Sequence, residues 1–207
     1  MEPAKREARR LQQRAGYLRR LLEAVERLVG AGESYATLSV NELVDEAGIS
    51  RSSFYKYFGD KSTLLLALSE TVESDFLAGA RAWLDLPPDA GEAEYRAAFR
   101  TIFDTYRAHR ATMRLITEGA TYDATMRGRY DEMMRAFVGA VAQHVRRGQD
   151  VGRTDGRLDA QGVATWLTWM LEAGQLDHIA AATDDEVDAH VAAVTRIVSG
   201  ALAPAVA

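Results

Sequence analysis

Residues 38–68, LSVNELVDEAGISRSSFYKYFGDKSTLLLAL, carry two helix-start signals separated by a single glycine. Ser39 is followed three residues later by Glu42, the pattern of a capping box. Val40, Leu43, Val44 and Ala47 then recur at helical spacing and predict a buried face. Gly48 stands where the helix must end in a left-handed residue. Ile49 fills the turn, and Ser50 caps a second helix of barely two turns. Helices this short are marginal in water unless something packs against them. A third helix is required, and the apolar positions Leu18, Leu22, Val25 and Val29 predict one over about 5–29. The expected arrangement is a helix-turn-helix.

The second short helix sorts its residues by face. Phe54 and Phe58, four apart, point inward, leaving Arg51, Ser52, Ser53, Tyr55, Lys56 and Tyr57 on the other faces. Short hydroxyls at a helix N-terminus suit close approach to base edges, while Arg, Lys and Tyr reach phosphate oxygens. Asp60 is placed to cap the next helix, with Lys61 in its first turn able to reach backbone phosphate. Any one of these residues alone is more naturally structural; the ordered string is what points to nucleic acid.

Charge supports that reading once it is divided along the chain. The net charge is −5, yet residues 1–61 hold 11 Lys+Arg against 9 Asp+Glu, and the first 20 residues hold 7 against 2. An electrostatic footprint for DNA therefore lies at one end. The extension KREARRLQQRAGYLRR is longer than three helices require. It reads either as a basic arm for DNA or as a solvated helix extension without a role.

The string AGISRSSFYKYFGDKSTLL resembles the signature of the TetR family of transcriptional regulators: a helix-turn-helix closed by an F-Y-x-Y-F segment, a short turn, a lysine and a leucine-rich helix. The resemblance covers about residues 18–68. It implies that Tyr55, Lys56, Tyr57 and Lys61 contact backbone phosphates and that Arg51, Ser52 and Ser53 lie nearest the bases. It also implies that Thr37 and Ser39 touch phosphate, with Ser50 opening the recognition helix. The spacing of residues 95–202 is similar to the ethionamide-resistance type of repressor, whose pocket is a long apolar tunnel.

The rest of the chain reads as all-α, giving about nine helices: the three already described, then about 61–83, 92–107, 110–118, 122–147, 159–180 and 184–202. The pair Pro87–Pro88 and the stretch GQDVGRTDGR at 148–157 are the clearest breaks. The expected division is a DNA-binding domain over 1–60 and a ligand-binding and dimerisation domain over 61–207. In the second, Tyr95, Phe99, Ile102, Phe103 and Tyr106 share one side of a helix. Met113 and Ile116, then Met134 and Phe137, then Trp166, Trp169 and Met170 follow on the next three. Singly these are ordinary core. Several helices supplying large aromatics and flexible methionine are also the usual lining of an adaptable apolar site. The candidate effector-binding residues are thus Tyr95, Phe99, Ile102, Phe103, Tyr106, Met113, Met134, Phe137, Trp166, Trp169 and Met170, with Thr168, Glu172 and Gln175 as possible polar contacts. The eighth helix is apolar nearly all round, so it needs partners beyond its own core. The family resemblance places the eighth and ninth helices in a homodimer interface.

The expected partners are double-stranded operator DNA and a small-molecule effector that releases it. The rival readings are an activator, a regulator controlled by a protein partner, and a helical small-molecule-binding protein or enzyme with a vestigial DNA-binding domain. No phosphate-cradling glycine loop, H-E-x-x-H or nucleophile elbow occurs, so neither enzyme activity nor a cofactor or metal is expected. Cysteine is absent, no apolar run approaches the ~18 residues of a membrane span, and the basic start lacks the apolar core of a secretory signal. A cytoplasmic location is the expectation.

Overall fold

The computed structural model describes residues 3–87 and 90–204, with side chains from residue 5 onward. Among the described residues it forms nine α-helices and no strand. They are α1 (Pro3–Gly30), α2 (Val40–Ala47), α3 (Arg51–Tyr57), α4 (Lys61–Leu84), α5 (Glu92–Ala108), α6 (Arg110–Tyr122), α7 (Ala124–Asp150), α8 (Ala160–Gly174) and α9 (Asp184–Leu202). The expected all-α order is found. Of the proline pair, Pro88 lies outside the described residues, as does Asp89; Ala90 donates back to the Pro87 carbonyl at 3.0 Å.

The sixth helix, expected to end at about residue 118, runs on to Tyr122, and two further elements differ from expectation. The eighth helix was expected to continue to about residue 180. Instead α8 ends at Gly174 and passes into a single π-turn, Gln175–Ile179, closed by Ala180 N–H to the Gln175 carbonyl at 3.0 Å. The extra residue of a π-turn re-aims the chain after the glycine, and Ile179 joins the core. In α1 the buried stripe is Leu21, Ala24, Val25 and Val29, with Leu18 and Leu22 half-buried. The face is turned because α1 packs on α2 and also carries Glu26 to the start of α6. That carboxylate accepts from Ala111 N (3.3 Å), Thr112 N (3.1 Å) and Thr112 Oγ1 (2.7 Å), satisfying donors that a helix N-terminus leaves open.

The chain divides into two compact units. The first is Met1–Val72 with Ala111–Tyr130, and the second is Glu73–Arg110 with Asp131–Ala207. The first unit buries Leu38, Leu43, Val44, Phe54, Phe58, Leu64, Leu65 and Leu68, along with Leu115 and Ile116 of α6. Its loop between α1 and α2 is held by polar pins. Tyr35 N–H donates to Glu118 Oε2 at 2.8 Å, and Glu118 also takes Arg114 Nε at 2.8 Å.

The core of the second unit is Trp83, Phe99, Phe103, Val141, Ala142 and Val145, together with Ala164, Leu167, Val187, Val191 and Val198 of α8 and α9. Arg100 and Arg107 of α5 fasten α9 through Asp184 and Asp188, at 2.7–3.5 Å.

Candidate nucleic-acid interface

Each helix of the motif is set by its own caps. Ser39 Oγ accepts from Glu42 N at 3.2 Å, and Glu42 Oε2 accepts from Ser39 Oγ at 2.6 Å and from Ser39 N at 2.9 Å. The bonds from the Ser39 hydroxyl and backbone hold the Glu42 carboxyl below its ordinary range. Gly48 takes φ 60° and ψ 40°, the left-handed conformation that Cβ disfavours. A Cβ there would also lie 2.8 Å from the Arg20 guanidinium, which donates to the Gly48 carbonyl. Ser50 Oγ then accepts from Ser53 N at 3.1 Å and starts α3.

Burial divides α3 into two faces. Phe54 and Phe58 are buried, with ring centroids 5.7 Å apart. Arg51, Ser52, Tyr55 and Lys56 are exposed, while Ser53 and Tyr57 are half-exposed. The other four candidates lie outside α3. Thr37 and Ser50 are exposed, Ser39 and Lys61 half-buried, so none of the ten is removed from solvent. Thr37 Oγ1 accepts from Ser34 N at 2.9 Å, which orders the loop ahead of α2. Asp60 Oδ1 accepts from Thr63 N at 2.7 Å and caps α4.

Lys61 is more deeply engaged than its sequence position suggests. Its ammonium donates to the carbonyls of Tyr35 (2.6 Å) and Leu38 (3.0 Å) and lies 4.4 Å from the Tyr35 ring centroid. Burial lowers its pKa from the ordinary lysine value. Sequence reasoning did not find the α1 residues that seat α3. Tyr57 Oη donates to Gln13 Oε1 at 3.0 Å, the Tyr17 and Tyr57 rings are 5.5 Å apart, and the Arg14 guanidinium lies 5.6 Å from the Phe58 ring centroid. The i, i+4 spacing of Gln13 and Tyr17 was the available signal.

Residues 21–68 match the model of the family described as "Bacterial regulatory proteins, tetR family". Residues 95–200, more than half of the chain, match "Transcriptional regulator EthR, C-terminal domain". The chain belongs to the TetR family of transcriptional regulators. It is 26% identical over 152 residues to the HTH-type transcriptional regulator EthR of Mycolicibacterium smegmatis, a match spanning 73% of this chain and 70% of that one. The EthR of Mycobacterium tuberculosis is 28% identical over 138 residues, 66% of this chain and 64% of its own. Among solved structures, the fatty acid degradation regulator FadR from Bacillus halodurans superposes with a TM-score of 0.73 at 16% identity, covering 89% of this chain and 95% of that chain. At that identity the likeness concerns the fold alone.

In this TetR-family chain the eleven residues expected to line an effector site are not all together. Phe99 and Phe103 lie in the second unit's core, with Tyr95, Ile102 and Met170 packed against it. Tyr106 and Met134 are also buried in that unit, and Phe137 is half-buried. Met113 is buried in the first unit. Trp166 and Trp169, by contrast, are 79% and 43% exposed on α8. The second unit also holds four buried polar atoms without a hydrogen-bond partner among the described residues, His109 Nδ1 and Thr195 Oγ1 being two of them. Trp83 Nε1 and Thr168 Oγ1 are the other two. Burial, then the Glu172 and Asp177 carboxylates, push the Tyr106 phenol far above its ordinary range, so it stays protonated. A cleft of about 620 Å³ lies between Gly91 and Tyr95 at the start of α5 and Ala192, Arg196 and Ser199 of α9; of the eleven, only Tyr95 lines it.

Proposed function

We propose that this regulator is a repressor: it binds operator DNA as a two-fold dimer through α3 and releases it when a small, largely apolar molecule enters the second unit. The observation that carries the reading is the division of α3. Phe54 and the C-cap residue Phe58 are buried in the core, while Arg51, Ser52, Tyr55 and Lys56 face solvent together. An exposed row of this chemistry matches what a major groove presents: acceptors and donors on base edges between two lines of phosphate.

Three further observations support the remainder. One recognition helix reads too few base pairs alone, and the exposed Trp166, Trp169 and Ile197 on α8 and α9 offer an apolar face for a second copy. Trp83 Nε1 and Thr168 Oγ1 are buried donors without acceptors, each costing about 1–3 kcal/mol. A ligand with one or two acceptor groups on an apolar body would recover that cost. Finally, α4 is a continuous 24-residue helix whose start belongs to the first unit and whose end belongs to the second. It is about 36 Å long. A change at one end of a continuous helix is carried along it toward the other, and the two recognition helices must stay about 34–36 Å apart on DNA.

The test is to select operators from random DNA and measure binding by fluorescence anisotropy. Ligands found by thermal-shift screening are then titrated calorimetrically with and without operator. Linkage requires operator to weaken ligand binding by the same factor as ligand weakens operator binding. Equal ligand affinities in the two titrations would sink the ligand-released reading and leave DNA binding standing.

A further inference from the structure

The stripe of α1 that touches the recognition helix and its turn is Gln13, Tyr17 and Arg20, spaced four and three apart. Continued toward the N-terminus at helical spacing, this stripe reaches Arg10 and Arg6, with Arg9 beside them. Their side chains are exposed. Glu7 approaches Arg10 at 3.7 Å with both side chains in solvent, while Lys5, Arg6 and Arg9 form no ion pair among the described residues. Like charges three and four apart destabilise a free helix, so this row is held together against its own repulsion. From Gln13 to Arg6 the helix advances about 10 Å. Its cations therefore continue from the end of α3, where Tyr57 meets Gln13. The family match begins at residue 21, so these arginines lie outside it. Residues 5–20 carry seven cations and one carboxylate in a chain whose net charge is −5.

We infer that Arg6, Arg9 and Arg10 form a second phosphate-binding element that engages the same duplex as α3. The inference rests on the DNA-binding reading. Duplex DNA carries about one charge per 1.7 Å of axis, and a cation that neutralises a phosphate releases counterions. The contribution is one of charge and not of base reading. It therefore applies equally to operator and to unrelated sequence, and it falls as salt rises.

The experiment uses full-length protein and a random-sequence duplex of about 40 base pairs, roughly four turns. Affinity is measured by anisotropy from about 50 to 200 mM salt. The triple variant Arg6→Ala, Arg9→Ala, Arg10→Ala should flatten the log–log salt slope by about two to three units, near 0.9 per lost contact. Its thermal unfolding midpoint should stay at the parent value, since the replaced side chains are in solvent. The matching triple lysine variant should keep the parent slope. A triple alanine variant with the parent slope would overturn the inference, as would a lysine variant that loses as much as the alanine one. Parent protein that binds neither this duplex nor any selected operator is a separate outcome: it removes the DNA-binding reading itself, and the arm's role with it.

Discussion

Lys61 makes the sharpest prediction because its two candidate roles give different readouts. Its ammonium donates to the Tyr35 and Leu38 carbonyls at 2.6 and 3.0 Å and stands over the Tyr35 ring. Hydrogen bonds to a charged group contribute about 1.5–3 kcal/mol each when well buried. Lys61 is only half-buried, so the pair together should contribute about 2 kcal/mol, with the ring adding about 0.5 kcal/mol at a partly exposed site. Lys61→Ala should then cost about 2–3 kcal/mol. For a chain of this length each kcal/mol shifts the midpoint by about 2–4 °C, which gives a fall of about 4–12 °C. The freed segment also holds Thr37 and Ser39, so DNA affinity should fall along with stability. Lys56 is the control. It is exposed on α3, with its ammonium 5.3 Å from the Tyr57 ring centroid. Lys56→Ala should leave the midpoint within about 0.5 kcal/mol of the parent and flatten the salt slope by about 0.9. Circular dichroism melts and anisotropy titrations on the same preparations decide the matter. A Lys61→Ala midpoint equal to that of the parent would refute the pinning argument.

Other outcomes follow from the same structure. Trp166→Asp should leave the single chain folded, because the side chain is 79% exposed there, but would bury an unpaired charge in an α8–α9 dimer at a cost of several kcal/mol. Ultracentrifugation at micromolar concentration should show parent dimers and variant monomers; a monomeric parent would defeat the dimer proposal. Arg51→Ala should relax sequence preference at one base pair by about 1–3 kcal/mol, read by repeating operator selection; an unchanged preference would contradict its place nearest the bases. Burial, opposed by a bond with the Leu84 carbonyl, lowers the His144 pKa from its ordinary 6.5. The unfolded chain therefore takes up a proton below pH 6.5 that the native state resists, and stability is lost as pH falls from 6.5 toward the folded value. His144→Gln should lose less stability between pH 7.5 and 5 than the parent in urea titrations; equal losses would show that His144 does not contribute.

What could be read from the chain alone is what depends on neighbours within a turn or two. The Ser39–Glu42 capping box, the left-handed Gly48 and the Ser50 cap are settled by atoms no more than four residues apart, and the i, i+4 spacing of Phe54 and Phe58 marks the inward face. Local sterics and backbone hydrogen bonding leave little choice there, and the helix order followed from apolar periodicity for the same reason. The features that were not legible are those settled by partners far along the chain. Glu26 caps a helix 85 residues away. Lys61 turns to carbonyls 23 and 26 residues upstream and not simply outward. Met113 lies in a different unit from the aromatics it was grouped with, and Trp166, grouped with them too, is exposed on the single chain. A periodic pattern says which face of a helix avoids water, but not which other helix covers that face. That choice is made by topology, when distant segments compete for the same apolar surface and buried donors must find acceptors wherever the fold brings them.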